Sequence, residues 1–202
     1  MNFIIGEAFA PTRIYGGAIY VYDNAIPNWQ DIIEGFEKEV DNKNSGVNYT
    51  LASTIDGRWD GARRNQILYI TEHALKKNNF CRGIHNWYGE LIETILKGYT
   101  KDFECGWAEH ESYSLLKYQG ATNDHYDAHY DGGPNNGRWI SVIAYLNDDY
   151  EGGEIEFVHH GVKLKPKAGS FIVFPSNYAY RHIAHPVTSG TKYAIVSFIG
   201  GS

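Results

Sequence analysis

Two stretches in the first half of the chain repeat apolar residues at helical spacing. In residues 28–40, apolar side chains fall at positions 29, 32, 33, 36 and 40, directly after the start signal Pro27-Asn28. In residues 83–99, a longer apolar stripe runs from Ile84 to Tyr99. Side chains three or four positions apart share one face of a helix. The pattern therefore predicts two amphipathic helices that cover a sheet.

Beyond about residue 110, short apolar or alternating segments are separated by turn residues. The segments that read as strands are 112–118, 139–146, 154–158, 162–164, 170–174 and 192–199. Segment 148–153, rich in Asp and Gly, is typical of a turn. So many short strands in about 90 residues indicate a sandwich or barrel of the jelly-roll kind. We predict a mainly β fold with flanking helices: a double-stranded β-helix (jelly-roll) core supported by N-terminal helices.

The chain length favours one domain. A chain of 202 residues can bury one sizeable core but not two large ones. We therefore predict a single domain over residues 1–202. Residues 1–110 would form a helix-containing support region, and residues 111–202 would form the jelly-roll core that carries the chemistry.

Charge and composition narrow the possible partners and location. With 18 basic and 24 acidic residues the net charge is −6, so we expect no nucleic-acid partner. No apolar run approaches the roughly 18 residues that a membrane helix needs, and the first residues do not resemble a signal peptide. Two cysteines, Cys81 and Cys105, are too few for a disulfide scaffold or a cysteine-based zinc site. We expect a cytoplasmic protein from a bacterium or a phage, and the pattern carries no signal for an oligomeric state.

Histidines and carboxylates cluster in one segment. Residues 124–131 contain two overlapping His-x-Asp pairs, His125 with Asp127 and His129 with Asp131. In an extended chain, residues i and i+2 point to the same face, so either pair could bind one metal ion. His182 or His185 could supply a third ligand. Two histidines and one carboxylate on one face suit a non-haem Fe(II) centre with open positions, whereas a structural zinc site is closed by a fourth protein ligand.

An ordered series of motifs then resembles a known family. The series reads Leu115-Leu116-Lys117-Tyr118-Gln119-Gly120, Tyr126-x-x-His129-x-Asp131, Arg138, Tyr145-Leu146-Asn147-Asp148, Gly152-Gly153-Glu154-x-x-Phe157, Pro166-x-x-Gly169, Phe174-Pro175-Ser176 and His182-x-x-x-Pro186-Val187-x-x-Gly190-x-Lys192-Tyr193. It resembles the prolyl 4-hydroxylase-like branch of the 2-oxoglutarate- and Fe(II)-dependent dioxygenases. The first 110 residues carry no matching motif.

The resemblance implies which residues bind the metal. An aromatic residue three positions before the proximal histidine fits Tyr126 and His129, so His129 and Asp131 are the expected pair. Pro four positions and a basic residue ten positions after the distal histidine fit His182, and not His185. The interval from Tyr118 to the proximal histidine is longer than in the family, which keeps the pair His125 and Asp127 open as an alternative. His185 would be a structural or substrate-side residue.

The resemblance also implies a co-substrate pocket. Lys192 would neutralise the far carboxylate of 2-oxoglutarate, because a buried charge needs a partner. Tyr145 would help to hold that carboxylate, and Tyr118 would line the pocket. Arg138 would orient the site or contact substrate; a plain surface role is the alternative.

Two further features have plainer interpretations. Gly152-Gly153 favours a hairpin, because glycine tolerates positive φ. Adjacent residues on a strand point to opposite faces, so His159-His160 is not expected to bind metal as a pair.

The implied function is hydroxylation of a C–H bond by a 2-oxoglutarate/Fe(II)-dependent dioxygenase. The expected catalytic residues are His129, Asp131, His182 and Lys192. Fe(II) and 2-oxoglutarate are the expected cofactor and co-substrate, and ascorbate is a candidate addition. Besides O₂, the partner would be a prolyl residue in a peptide or protein, with succinate and CO₂ released, or else a small molecule. Rival interpretations are a nucleic-acid demethylase, a zinc hydrolase and a non-catalytic jelly-roll binding module with an incidental metal site.

Overall fold

The computed structural model describes residues 10–52, 61–106, 109–111, 113–134 and 136–200. In the first half the strands are β1 (Arg13–Tyr15), β2 (Ile19–Tyr22), β3 (Thr50–Leu51), β4 (Arg63–Arg64) and β5 (Gln66–Tyr69), and the helices are α1 (Trp29–Asp41), α2 (Glu72–Lys77) and α3 (Asn79–Asp102). Then follow β6 (Glu109–His110), β7 (Ser114–Gln119), β8 (His125–His129), β9 (Arg138–Tyr145), β10 (Glu151–Gly152), β11 (Ile155–Phe157), β12 (Val162–Leu164), β13 (Ser170–Pro175), β14 (His182–Ala184), β15 (Val187–Ser189) and β16 (Thr191–Gly200). The mainly β fold with flanking helices is therefore confirmed.

The strands of the described ranges form two main antiparallel sheets and one small ribbon. The larger sheet has nine strands in the order β1-β2-β13-β9-β16-β7-β5-β3, with β6 beside β16. The smaller sheet has five strands in the order β12-β11-β14-β8-β4, and β10 pairs with β15. Strands from both halves of the sequence meet in each sheet. The jelly roll is thus completed by residues that precede the motif-bearing segment.

Side-chain alternation on β13 shows how the layers pack. Phe171 and Val173 belong to the core beneath the helices, whereas Ile172 and Phe174 face the smaller sheet. The ring of Phe171 stacks on Tyr88 of α3 at 5.9 Å, and the ring of Phe174 meets Phe157 of the smaller sheet at 4.8 Å. The larger sheet is therefore buried on both faces, with helices on one side and the smaller sheet on the other.

The two predicted helices are present as α1 and α3. Asn78 caps α3, because its side-chain oxygen accepts a hydrogen bond from the backbone N–H of Cys81 at 3.0 Å. Near its other end, the hydroxyl of Tyr99 donates to the carbonyl of Ala18 at 2.9 Å and ties the helix to the start of β2. Among the described residues, the helices are too short or too polar to span a lipid bilayer.

The structure adds strands that the hydrophobic pattern did not predict. The support region was expected to contribute helices, yet β1 to β6 also come from it and extend the two sheets. Each of these strands has only two to four residues. The predicted strand 112–118 begins at Ser114, and Ser112 lies outside the described residues. His159 and His160 were placed between strands, and they lie in a 3₁₀ turn rather than on an extended strand. The single-domain organisation stays a prediction.

Candidate metal and co-substrate site

His129, Asp131 and His182 are brought together between two neighbouring strands. His129 is the last residue of β8, and its cross-strand partner is His182, the first residue of β14. Asp131 lies just past the end of β8, so the predicted i, i+2 pair spans a strand end rather than one continuous strand. One ligand atom from each of the three residues lies within 4.8 Å of the others. Asp131 oxygens are 3.5 Å from His129 Nε2 and 3.7 Å from His182 Nε2.

Backbone carbonyls orient both imidazole rings. Nδ1 of His129 lies 2.7 Å from the carbonyl of Asp127, and Nδ1 of His182 lies 3.0 Å from the carbonyl of Tyr180. Because a carbonyl only accepts hydrogen bonds, each Nδ1 must carry the proton and donate it. Each Nε2 then has a free lone pair directed at the carboxylate side of the cluster. This arrangement is the usual one for metal-binding histidines.

Serine hydroxyls hold the carboxylate of Asp131. The hydroxyl of Ser141 donates to Asp131 Oδ2 at 2.7 Å and lies 2.8 Å from the hydroxyl of Ser176. Burial alone would raise the pKa of Asp131, but the facing His182 and His129 and the Ser141 hydroxyl together lower it well below its usual value. Burial also lowers the pKa of His182 to about 4. The cluster therefore offers the Asp131 carboxylate and a neutral His182 imidazole at neutral pH, which are the protonation states that bind a divalent cation.

Replacing Ser141 with alanine should weaken Fe(II) binding by about 10- to 100-fold, the range for loss of a partner that orients a metal ligand. The measurement is an anaerobic titration of Fe(II) into the purified protein. Ser170→Ala is the matched control, since Ser170 is equally buried and its hydroxyl donates to Asp23 at 3.2 Å, outside the cluster. Equal affinities in the two variants would contradict the role of Ser141.

The alternative pair, His125 and Asp127, has a different environment. The side chain of Asp127 is 67% exposed and lies 3.9 Å from His125. Both ring nitrogens of His125 face carbonyls, those of Asn123 at 2.9 Å and Gly61 at 3.1 Å. His185 lies apart, with Nε2 2.7 Å from Glu156. Within the described ranges, the only grouping of three metal-ligand side chains is that of His129, Asp131 and His182.

A cavity of about 340 Å³ connects the cluster to Lys192. Lys192 lies on β16 and is buried, and its Nζ donates to the carbonyl of Gly153 at 2.7 Å. The ammonium also lies over the rings of Tyr118, Tyr145 and Tyr150, at 5.2, 5.1 and 5.9 Å from their centroids. Its hydrogen-bond acceptor is thus a neutral carbonyl, and aromatic faces surround the charge.

The charge on Lys192 is therefore poorly compensated. Burial lowers the pKa of Lys192 to about 7, and Glu154 offsets only part of that effect. Burial raises the pKa of Tyr118 to about 12 and that of Tyr145 well above its usual value, so both phenols stay protonated and can donate. A carboxylate entering this end of the cavity would supply the missing counter-charge.

Arg138 also lines this cavity. From the sequence it was expected to orient the site, to contact substrate or to have a plain surface role. The guanidinium of Arg138 forms a two-pronged ion pair with Glu111, with N–O distances of 2.9 to 3.1 Å, and lies 3.7 Å from the ring centroid of Phe198. Arg138 and Glu111 both line the cavity. The sequence pattern did not indicate that Glu111 belongs to this site, because its partner Arg138 lies 27 residues away along the chain.

Glycines shape the end of the cavity near Lys192. Gly152 and Gly153 both have positive φ, of 70° and 68°. A methyl group at Gly152 would overlap the carbonyl oxygen of Pro186, so this position needs glycine for space as well as conformation. The turn presents the Gly153 carbonyl that Lys192 binds.

Comparison with known proteins agrees with this geometry. Residues 113–200 match the family model described as the 2OG-Fe(II) oxygenase superfamily. This part of the chain, which carries the metal cluster and Lys192, is similar to a 2OG-Fe(II) oxygenase domain. Human prolyl 3-hydroxylase 2 is 38% identical over 63 residues, which cover 29% of this chain and 9% of that protein. A protein of Acanthamoeba polyphaga mimivirus named as a prolyl 4-hydroxylase is 26% identical over 126 residues, 51% of this chain and 50% of its own length.

A solved structure extends the likeness to the N-terminal region. The prolyl hydroxylase of Trichoplax adhaerens, in complex with a peptide from the oxygen degradation domain of hypoxia inducible factor, aligns with a TM-score of 0.73 at 15% identity. The alignment covers 92% of this chain and 84% of that one. It shows a shared fold that includes the support region. The matched residues cover half or less of the length of the two curated relatives, so the activities and substrates of those proteins are not assigned to this chain by similarity alone.

The residues of this site fit the cofactor and co-substrate that the name of the matched family specifies. Two imidazole nitrogens and one carboxylate converge from one side, which is the donor set of a non-haem Fe(II) centre. At the other end of the cavity, Lys192 and the phenols fit a second carboxylate, as in a dicarboxylate such as 2-oxoglutarate.

Proposed function

We propose that this chain is a 2-oxoglutarate- and Fe(II)-dependent dioxygenase that hydroxylates a prolyl residue in a peptide or protein. The overall reaction couples oxidation of one C–H bond by O₂ to conversion of 2-oxoglutarate into succinate and CO₂. The observation that carries the proposal is the pairing, in one cavity, of the His129, Asp131 and His182 cluster with the buried ammonium of Lys192.

Each residue has a separate task in this proposal. His129, Asp131 and His182 would hold the metal, while the carbonyls of Asp127 and Tyr180 keep both rings oriented. The metal, together with the keto acid, supplies the oxidising power for a C–H bond when bound. Lys192 would fix the far carboxylate, which sets the direction in which 2-oxoglutarate enters.

Apolar side chains form part of the cavity wall between the charged groups. Apolar side chains from both sheets line it, namely Ile67, Leu116, Ile143, Ile155, Ala184, Ala194 and Val196. Apolar walls protect a strongly oxidising centre from side reactions with water and with the protein itself. They also leave room for an apolar substrate group such as a proline ring.

A second cavity supports a peptide over a small molecule. It has a volume of about 370 Å³, and Arg138 lines both cavities, so they adjoin. Tyr130, Trp139 and Tyr178 line the second cavity and are 45%, 54% and 75% exposed. Exposed aromatic faces are the usual means of binding extended proline-rich segments. A substrate that continues past the reacting residue would use this surface.

Turnover of peptides tests the proposal. Protein loaded with Fe(II) and 2-oxoglutarate should release succinate with a proline-containing peptide and add 16 mass units to it, and a longer peptide should give a lower KM than a tripeptide. Because the relatives are named for hydroxylation at both C3 and C4 of proline, NMR of the product should identify the carbon. Peptide-independent turnover of a small molecule instead would contradict the peptidyl assignment.

We also propose a reducing compartment, the cytoplasm, as the site of action. Cys81 and Cys105 are both free thiols in the structure, and Cys81 is buried. Fe(II) chemistry requires a reduced metal, which such a compartment maintains.

A further inference from the structure

The histidine pair His159-His160 does not reach the metal cluster, but one of its members packs toward it. His160 lies in the 3₁₀ turn between β11 and β12. Its ring stacks on the ring of Tyr180, with centroids 4.5 Å apart and planes 22° from parallel. Nδ1 of His160 is buried without a hydrogen-bond partner among the described residues. The ring therefore contacts Tyr180 by stacking rather than through a hydrogen bond from this nitrogen.

Tyr180 leads directly to a proposed metal ligand. Its carbonyl accepts the Nδ1–H of His182 at 3.0 Å, the hydrogen bond that sets the ring orientation and leaves Nε2 free. The ring of Tyr180 also packs against the apolar cluster between the two sheets. The position of the ring therefore helps to determine where that carbonyl lies.

The N-terminal hairpin approaches the ring of His160 at Gly16. The turn between β1 and β2 contains Gly16 and Gly17, with φ of 51° and 77°. A methyl group at Gly16 would overlap the Cδ2 atom of His160 and would lie 3.1 Å from its Cγ. At Gly17 an added methyl group would meet nothing within 4 Å. Of the two glycines in this turn, only Gly16 lies against the histidine ring.

We propose that His160 is a positioning residue of the metal centre, through which the N-terminal hairpin holds Tyr180 and thereby orients His182. The inference rests on the proposed function, since it takes His182 to be a metal ligand. It gives a functional task to a segment that lies outside the matched residues 113–200. The hairpin acts as a support for the distal ligand, in addition to extending the larger sheet.

The adjacent glycines provide a matched pair of variants. Gly16→Ala and Gly17→Ala both place a side chain at positive φ, so both carry similar backbone strain. Only Gly16→Ala displaces the ring of His160. We expect Gly16→Ala to bind Fe(II) about tenfold more weakly than the wild type, at the lower end of the effect for partners that orient metal ligands. Gly17→Ala should bind like the wild type.

Two substitutions at His160 test the same contact if Gly16→Ala fails to fold. His160→Phe keeps a flat ring and should retain wild-type affinity, whereas His160→Ala should lose about as much affinity as Gly16→Ala. The readouts are anaerobic calorimetry with Fe(II) alone and the energy of the visible charge-transfer band after 2-oxoglutarate is added. A merely structural role would lower thermal stability without shifting that band.

The outcomes separate this inference from the proposed function. If the wild type binds Fe(II) and forms the band, but folded Gly16→Ala and His160→Ala match it in both readouts, the positioning role is overturned and the oxygenase assignment stands. Equal losses in His160→Phe and His160→Ala would also overturn it, because stacking would not be the cause. A folded wild type that binds no Fe(II) overturns the proposed function, and the positioning role with it.

Discussion

Replacing His129 with alanine should abolish tight Fe(II) binding, whereas replacing His125 should leave it unchanged. In the structure, His129 faces Asp131 and His182, and removing it leaves two ligand side chains where three converge. The loss should exceed the roughly 100-fold that removal of a ligand-orienting partner causes. His125 serves as the control because it also lies on β8 and is the first residue of the other His-x-Asp pair. Its two ring nitrogens lie beside backbone carbonyls instead of facing the cluster.

The measurement is a titration of Fe(II) into metal-free protein under anaerobic conditions, followed by 2-oxoglutarate. The wild type and His125→Ala should develop the visible charge-transfer band of a chelated keto acid, and His129→Ala should not. The reverse result would assign the metal to His125 and Asp127. If both variants develop the band, neither histidine is essential for metal binding. Circular dichroism of each variant shows whether it is folded.

The sequence was informative wherever function depends on local spacing. The interval between His129 and Asp131 is set along one strand and its end, so it can be read without any tertiary information. The family resemblance, through the spacing from His182 to Lys192, identified two residues that the structure places in the same cavity. That Lys192 is buried, with its charge among tyrosine rings, agrees with the role expected for it.

What the sequence did not show are contacts between distant segments. Ser141 contacts Asp131 across ten positions, and Tyr180 contacts His160 between two separate 3₁₀ turns. Neither contact has a local signature in the sequence. The strands of the support region were missed for a related reason. β2 is buried at every position, so it lacks the alternation that marks a half-buried strand. β3 and β4 have only two residues each.

Replacing Lys192 with methionine should remove most of the affinity for 2-oxoglutarate and leave Fe(II) binding intact. Deleting one partner of a buried charge pair costs about 2–5 kcal/mol, which corresponds to roughly 30-fold or more in affinity. Methionine has a similar volume and no charge, so the free protein should fold at least as well as the wild type. On β16, Lys192 lies six residues before Phe198, the cross-strand partner of the Ser141 that holds Asp131, so the two affinities should separate.

The pH dependence of 2-oxoglutarate binding follows from the same lysine. Its pKa is about 7 in the free protein because the side chain is buried, and an entering carboxylate would raise that pKa. Below pH 7 the ammonium is already charged and affinity should be constant. Above pH 7 binding must take up a proton, so Kd should rise toward about tenfold per pH unit. Lys192→Arg should give a flat profile, since arginine stays charged throughout this range.

Lys192 should also make the stability of the free protein depend on pH, but stability should rise with pH whereas affinity for 2-oxoglutarate falls. An unfolded lysine titrates near its ordinary value of 10.5 and the folded one near 7, so between these values the unfolded state binds more protons. Stability should therefore rise with pH from 7 to 10.5 relative to Lys192→Met, which has no such group. Denaturant unfolding at several pH values measures this difference, and calorimetry in buffers of different ionisation enthalpy measures the proton uptake. Parallel stability profiles for the two proteins, with no proton taken up on binding, would show that Lys192 keeps its charge without the co-substrate.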